Sequence, residues 1–406
     1  MKLGIDLRAL QTGHKYRGIG EVAKQLTNRI VEIAQRDNVE FVFYEYEDDD
    51  PKLLLDLPKD LTYEVYKIGP MPEGNVVTTK SEKLKRHLAQ LFGNPIPGSD
   101  IVDVYLQYDY AFGVPKNTKT IVTVHDFIPF VFWSSYFESA WVPFKNKALR
   151  TTLRTLFANY RSKRLAARGM RNARRLVAIS ENTKQDIIKF FGIKPKKIDV
   201  VHLGVDIKPV KTDSTTTGSH ALPTKPYLLF IGAGDARRRV DDLVAAYNNL
   251  KARGYDIQLV LVGENFQSKE AIPTLNVRNA VLHSSYGDDI LTLGYVSDEE
   301  KQRLYSGALA YAYPTLYEGF GLPVLESMIF GSPIISYDNS SIKEIGGKFA
   351  KYANDWEGIV DATEELLAMS AKERKDWIDS AKKHAQKFTW DKTAQKLYDT
   401  IQKTGN

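Results

Sequence analysis

Residues 308–337 constrain the fold more than any other stretch of this chain. An apolar run of strand length, Ala308–Tyr313, leads into the loop Pro314–Gly321; a segment opened by Pro323 and closed by Gly331 follows, and then a second apolar run, Pro333–Tyr337. Proline is tolerated in the first turn of a helix, where its missing N–H has no intrahelical partner, and glycine after the last turn accepts the left-handed conformation that closes it. The order is therefore strand, loop, helix, strand, and a chain that repeats it builds a parallel sheet covered by helices. Ligands of such sheets bind beyond the carboxyl ends of the strands, where loop amides and helix N-termini favour anions. In this loop Glu318 and Glu326 bracket Gly319 and Gly321. Glycine lets a ligand come close to the backbone, and a carboxylate one turn into the helix can accept hydrogen bonds from sugar or ribose hydroxyls. Spacing alone leaves open an ordinary loop with solvated glutamates.

The same alternation recurs along the chain. Strands are predicted at Leu3–Leu7, Val39–Tyr46, Leu61–Ile68, Ile101–Tyr108, Thr120–Val124 and Arg175–Ser180, with Ile198–Asp206 closing the set. Ile19, Val22, Ala23, Leu26, Ile30 and Ile33 recur at helical spacing, another helix is predicted over Ser81–Phe92, and Ser180 caps a short helix closed by Gly192. Lys208–Pro226, rich in Thr, Ser, Pro and Lys, has no apolar periodicity and reads as a linker. Beyond it, strands are predicted at Tyr227–Ile231, Ile257–Gly263 and Ile290–Val296, with a helix over Asp298–Tyr305. In a chain of 406 residues this pattern predicts an α/β protein of two doubly wound domains.

Three further features carry chemistry. Gly13–Gly20 is a glycine-rich strand-to-helix loop, although it is not a dinucleotide fingerprint. Gly232–Arg239 sets Arg237, Arg238 and Arg239 at a helix start, adding positive charge where the helix dipole already favours phosphate. A merely solvated basic turn is the alternative there. His125 ends the predicted strand Thr120–Val124 beside Asp126, which would either orient the imidazole or cap the next turn.

Charge is unevenly distributed. Of the net charge of +6, residues 1–208 supply 33 Lys and Arg against 24 Asp and Glu, and residues 209–406 supply 23 against 26. Phe127–Phe144 holds eight aromatic residues in eighteen, and Ser139–Ser180 holds eleven Lys and Arg with no acid. Aromatic rings beside a basic helix suit the headgroup level of an anionic membrane, while a filled core and a solvated helix remain the plain alternative. Nucleic acid is not expected as a partner, because no nucleic-acid-binding signature accompanies the charge. The chain has no cysteine, which excludes disulfides and thiolate metal sites, and its N-terminus reads as a strand rather than a signal peptide.

Residues 318–326, Glu-Gly-Phe-Gly-Leu-Pro-Val-Leu-Glu, closely resemble the paired-glutamate signature of the retaining glycosyltransferases of family 4 (group 1), of the bacterial surface-polysaccharide type. The resemblance implies GT-B architecture, two Rossmann-like doubly wound domains facing across a cleft. Residues 1–208 would form the acceptor-side domain, 209–226 the linker and 227–387 the nucleotide-sugar-binding domain, with 388–406 a helix crossing back to the first domain. It also implies roles for single residues. Gly18 and Gly20 match a Gly-Ile-Gly element facing the donor, and His125 matches a histidine that contacts the donor sugar. Arg237 matches an arginine that grips the donor diphosphate; Arg238 stands where the family has lysine, so charge is kept and geometry is not. Gly294, Tyr295 and Val296 match a turn bordering the nucleotide base. Glu326 would hold the ribose, and Glu318 with Gly319, Phe320, Gly321 and Leu322 the donor sugar. His202 and Leu203 depart from the family's pattern.

The expected activity is transfer of a hexosyl group, with retention, from a UDP- or GDP-linked donor to a hydroxyl of a glycan acceptor, carried on a polyprenyl diphosphate. No cofactor or metal is expected, the arginines taking the place of a divalent ion. The expected location is the cytoplasm, peripheral to the inner face of the cell membrane. Two other classes stay open. A glycoside hydrolase would use two carboxylates but has no use for an arginine phosphate loop. An inert glycosyltransferase-like subunit that binds a membrane or partner would keep the fold without the chemistry.

Overall fold

The computed structural model describes residues 1–16, 18–71, 96–115, 117–132, 163–164, 166–205 and 223–405. The predicted helix Ser81–Phe92, most of the aromatic and basic segment after Phe132, and most of the linker lie outside these residues. The chain divides into two compact units, Met1–Gly204 with Trp390–Asn406, and Val205–Thr389.

The first unit is built on a seven-stranded parallel sheet. Its strands are β1 (Lys2–Asp6), β2 (Glu40–Glu45), β3 (Tyr63–Lys67), β4 (Val104–Gln107), β5 (Lys119–Val124), β6 (Arg175–Ala178) and β7 (Ile198–Val200), in the order β3-β2-β1-β4-β5-β6-β7. Central strands of a parallel sheet are covered on both faces, so they read as unbroken apolar runs; β4 and β6 are buried along nearly their whole length for this reason. The segment 101–103 does not join β4. It belongs to a 3-10 turn at Ser99–Ile101 and a bend, set by Gly98 in the left-handed conformation at φ 71°. The helix Gly18–Gln35 follows β1, and its stripe of Val22, Leu26, Ile30 and Val31 is buried. The C-terminal helix Trp390–Gly405 packs against it. Ala394, Leu397 and Ile401 are buried there, Tyr398 donates its hydroxyl hydrogen to Asp37 at 2.7 Å, and Arg29 pairs with Asp391 at 2.8 Å.

The second unit repeats the plan with six parallel strands: β8 (Tyr227–Ile231), β9 (Gln258–Val262), β10 (Ile290–Thr292), β11 (Ala310–Tyr313), β12 (Ile334–Tyr337) and β13 (Ala350–Ala353). Their order is β10-β9-β8-β11-β12-β13. The strand predicted over Ile290–Val296 ends at Thr292, because Gly294 turns the chain with φ 60°. In both sheets the order reverses once, between β1 and β4 and between β8 and β11. Such a switch point opens a crevice between loops that leave in opposite directions, and ligands of doubly wound sheets bind there.

Candidate active site

Two loops flank the switch point of the second sheet. Gly232–Arg239 leaves β8, and Pro314–Gly321 leaves β11. They are bonded to each other: the Leu316 amide donates to the Arg237 carbonyl at 2.8 Å, and Arg237 Nη1 donates to the Tyr317 carbonyl at 2.9 Å. The same Nη1 lies 2.5 Å from Glu318 Oε1, and Arg238 Nε lies 3.4 Å from that oxygen. Tyr313, the last residue of β11, donates its hydroxyl hydrogen to Glu318 Oε1 at 2.5 Å, and Thr315 Oγ1 adds a contact at 3.2 Å. Arg238 also lies over the Tyr313 ring, 5.7 Å from its centroid.

The electrostatics follow from burial and charge together. Burial alone would raise the Glu318 carboxyl, but the guanidinium groups of Arg238 and Arg237 and the Tyr313 hydroxyl hold it below the ordinary carboxylate value. Burial raises the Tyr313 phenol, so it is a hydrogen-bond donor at neutral pH. Glu318 thus faces two guanidinium groups, with the more exposed Asp235 3.5 Å from Arg237, while Arg239 is paired away with Asp242 at 2.6 Å and Asp241 at 3.5 Å. Arg237 Nε is buried without a hydrogen-bond acceptor, while the Nε groups of Arg238 and Arg239 have only long carboxylate contacts, to Glu318 at 3.4 Å and Asp241 at 3.5 Å. Buried guanidinium N–H groups so loosely satisfied can still take a further acceptor. Arg239 also holds a left-handed backbone at φ 44°, unusual for a residue with a side chain and common at functional turns.

Supporting residues hold these loops in place. Ser340 Oγ accepts from the Glu318 amide at 3.0 Å, and Ser341 Oγ donates to the carbonyls of Glu318 and Phe320 at 2.8 and 2.9 Å. Asn265, in the loop after β9, accepts from the Gly234 amide at 3.1 Å. Gly321, at φ 105°, caps the helix Leu322–Phe330 that carries Pro323 in its first turn. A Cβ on Gly321 would sit 2.9 Å from Ile342 Cδ1, so the position demands glycine on both counts. Phe320 is buried with its ring 6.3 Å from that of Phe388, and Gly319 precedes it on the same turn.

Glu326 stands one turn into the helix Leu322–Phe330, partly exposed. Tyr305 donates to it at 3.4 Å, and Lys301 lies 3.6 Å away. Burial lowers the Lys301 ammonium, but Glu326 and Asp298 outweigh this and raise it. Gly294, Tyr295 and Val296 form the turn after β10, tied down by the Gly294 amide donating to Phe266 and the Gly263 amide donating to Gly294. The Tyr295 side chain is 83% exposed there, available for ring stacking.

The other predicted residues lie in the first unit. His125 follows β5 and is buried; its Nε2 is 2.9 Å from the Tyr108 carbonyl, which can only accept, so Nε2 carries a proton. Asp126 accepts from the Ile128 amide at 2.9 Å. Gly18 and Gly20 sit in the first turn of the helix Gly18–Gln35, Gly18 exposed and Gly20 buried. At the end of β1 the buried pair Asp6 and Arg8, 2.5 Å apart, ties this loop to the next, since Arg8 Nη1 donates to the Phe112 carbonyl at 3.2 Å. Of the aromatic segment, Phe127 is buried and Phe130 packs against the same core beside Phe191. Among the described residues no group of three or more potential ligands could hold a metal ion.

Sequence reasoning missed Tyr313, Thr315, Lys301, Asn265 and Ser340, and also the Asp6–Arg8 pair. Tyr313 was accessible in principle as the residue where an apolar strand meets the loop; the others are joined to the site only by tertiary packing.

A family model described as Glycosyltransferase Family 4 matches residues 16–208, and one described as Glycosyl transferases group 1 matches residues 215–384. O-antigen chain mannosyltransferase B of Escherichia coli is 26% identical over 229 residues, 54% of this chain and 58% of that protein. The serotype-specific mannosyltransferase WbdA of Escherichia coli is 24% identical over 429 residues, 97% of this chain and 47% of that protein. The chain thus spans about half the length of these curated relatives. Anabaena Alr3699/HepE, solved with UDP and glucose, superposes with a TM-score of 0.66 at 14% identity over 99% of both chains. Sucrose-phosphate synthase of Thermosynechococcus elongatus superposes with a TM-score of 0.67 at 15% identity over 99% of this chain and 98% of that one. Identities this low speak to the fold.

Proposed function

Because the chain belongs to the group 1 glycosyltransferases of family 4 and has their pair of Rossmann-like domains, we propose that it transfers a hexosyl group, with retention, from a nucleotide-diphosphate sugar to a glycan hydroxyl. The observation that carries this reading is the cluster at the second switch point. Arg237 and Arg238 share the Glu318 carboxylate, Arg238 only at 3.4 Å, and Arg237 Nε is buried without an acceptor. A diphosphate would supply closer acceptors, and its departure with an added negative charge is what two preorganised guanidinium groups stabilise best. Loss of one such contact typically costs roughly 2.7–4 kcal/mol, or about a hundred- to a thousandfold in rate.

The remaining assignments complete the donor. Glu326 would accept from the ribose hydroxyls, and the turn Gly294–Val296 would border the base. Glu318, with the backbone of Gly319–Leu322, would hold the sugar, while His125, Gly18 and Gly20 would serve it from the first unit. With positive charge already in place, transfer would need no divalent ion. The leaving phosphate would take the acceptor's proton, and no protein nucleophile is assigned. The mannosyltransferase relatives favour mannose as the hexose, on a UDP or GDP carrier.

The acceptor is proposed to be a lipid-linked glycan at an anionic membrane, a reading supported by the sequence of Phe127–Phe144 and the acid-free basic run that follows. Among the described residues no helix is long and apolar enough to cross a membrane. Proton NMR of the product formed from an α-linked donor tests the reaction: an α-glycoside is expected, and a β-glycoside would remove retention.

A further inference from the structure

A second concentration of positive charge lies in the first unit, at the opposite end of its sheet from His125. It is a cavity of about 710 Å³ at the amino ends of β5, β6 and β7, walled by the helical segment 166–172 and the last turn of Trp390–Gly405. Among the described residues seven that line it are Lys or Arg and none is acidic. Lys119 opens β5, six residues before His125, so at a strand rise of ~3.3 Å the two ends are about 20 Å apart.

Part of this charge has a structural account. Two helices end here, and cations at helix C-termini bond the last carbonyls. Lys119 Nζ donates to the Gly405 carbonyl at 2.7 Å, and Lys197 Nζ donates to the Arg171 carbonyl at 2.6 Å. Arg171 donates to Phe191 at 3.2 Å and Arg175 to Lys196 at 2.7 Å; Arg175 also has Asp199 at 3.7 Å. Those contacts fix four of the cations around the rim. Arg174, Lys196 and Lys403 have no ion-pair partner among the described residues and face the same cavity.

The like charges press on one another. Burial lowers the Lys197 ammonium, and the Arg174 guanidinium lowers it further. Asp199 is the one carboxylate paired with these cations among the described residues, so a multivalent anion entering the cavity would meet several cations that lack an ion-pair partner. A concave volume of this size, lined by seven cations of which four are anchored and three exposed, matches the charge of adjacent phosphates better than that of a single carboxylate.

We propose that this cavity binds a ligand carrying two or more adjacent phosphate groups, at a site separate from the donor site. Either a soluble polyphosphate or the phosphates of a lipid headgroup would supply that chemistry.

Calorimetric titration of the full chain with inorganic tripolyphosphate at low salt, with UDP and GDP both at saturating concentration, tests the proposal. One saturable, salt-sensitive binding event is expected. The combined variant Arg174→Gln, Lys196→Gln and Lys403→Gln should weaken it by roughly tenfold or more, the equivalent of one charge-assisted contact. Arg237→Ala should leave it unchanged, which separates this site from the donor loop even if the donor reading fails. Absence of binding, equal affinity in the combined variant, or loss in Arg237→Ala overturns the proposal. Should the combined variant lose thermal stability, Lys196→Glu alone, at an exposed residue just outside β7, carries the same expectation.

Vesicle co-sedimentation identifies the source. Binding to phosphatidylglycerol vesicles and not to phosphatidylcholine vesicles, competed by tripolyphosphate and lost in the combined variant, assigns a lipid headgroup. Tripolyphosphate binding without vesicle binding assigns a soluble ligand.

Discussion

Replacing Glu318 by glutamine separates the two roles that its carboxylate would play. The side chain keeps its volume and one acceptor oxygen but loses the charge that now faces Arg237 at 2.5 Å and Arg238 at 3.4 Å. Removing one partner of a buried pair costs about 3–5 kcal/mol, because the other charge is left uncompensated. Glutamine's carbonyl can still accept from Tyr313, so the lower end, ~3 kcal/mol, is expected. In a unit of this size each 1 kcal/mol moves the midpoint by ~2–4 °C, so the second unit should melt roughly 6–12 °C lower. A nucleoside diphosphate would restore the missing negative charge, so the upward shift it produces should be larger in Glu318→Gln than in the wild type, even though transfer falls. The deficit should also depend on pH. The folded-state value of Glu318 is depressed, so its contribution is present above the ordinary value of 4.5 and is lost as pH falls through the lower folded value. Differential scanning calorimetry with and without UDP or GDP, from pH 7 down to pH 3, reads all three effects. Equal midpoints at neutral pH, or a smaller nucleotide shift in the variant, would refute the account of a carboxylate holding two arginines for an anion.

Other expectations follow from the same geometry. Arg237→Ala and Glu326→Ala should each weaken nucleoside diphosphate binding in a calorimetric titration, since each removes a charge-assisted contact to the leaving half of the donor; wild-type affinity in both would take these residues out of the site. His125→Ala should abolish most transfer while leaving nucleotide binding nearly intact, and unchanged transfer would make His125 structural. Changing Lys145, Lys147, Arg150 and Arg154 to glutamine should reduce co-sedimentation with anionic vesicles, at about 1 kcal/mol per cation, without altering nucleotide binding. Equal sedimentation on anionic and neutral vesicles would leave this run a solvated face.

Local rules made some of this legible before any coordinates. Pro323 and Gly331 read as the two ends of one helix, and the structure has Pro323 in its first turn and Gly331 left-handed at φ 87° after its last. The apolar runs read as parallel strands because burial on both faces removes the polar alternation that would mark an exposed one. What stayed hidden depends on partners far away in the chain. No spacing rule brings Arg237 to Glu318, eighty-one residues on, or makes that carboxylate serve two arginines and a tyrosine. Lys301 and Tyr305 read only as positions on a polar helix, yet both reach Glu326. The helix Ala371–Ala385 buries only Ala381 and Ala385, too little apolar periodicity to stand out in a charged stretch. The length of β10 was misjudged because Gly294 lies inside an apolar run, and glycine there marks a turn only when its backbone angle is known.

The most direct measurement is nucleotide release and binding across a panel of UDP- and GDP-hexoses, run side by side on the wild-type chain and Arg237→Ala. The account predicts that at least one sugar nucleotide of the panel stabilises the wild type, is turned over with release of the nucleoside diphosphate, and loses about a hundred- to a thousandfold in rate in the variant. A panel in which no sugar nucleotide shifts the melting point, or in which Arg237→Ala turns over donor as fast as the wild type, would contradict it.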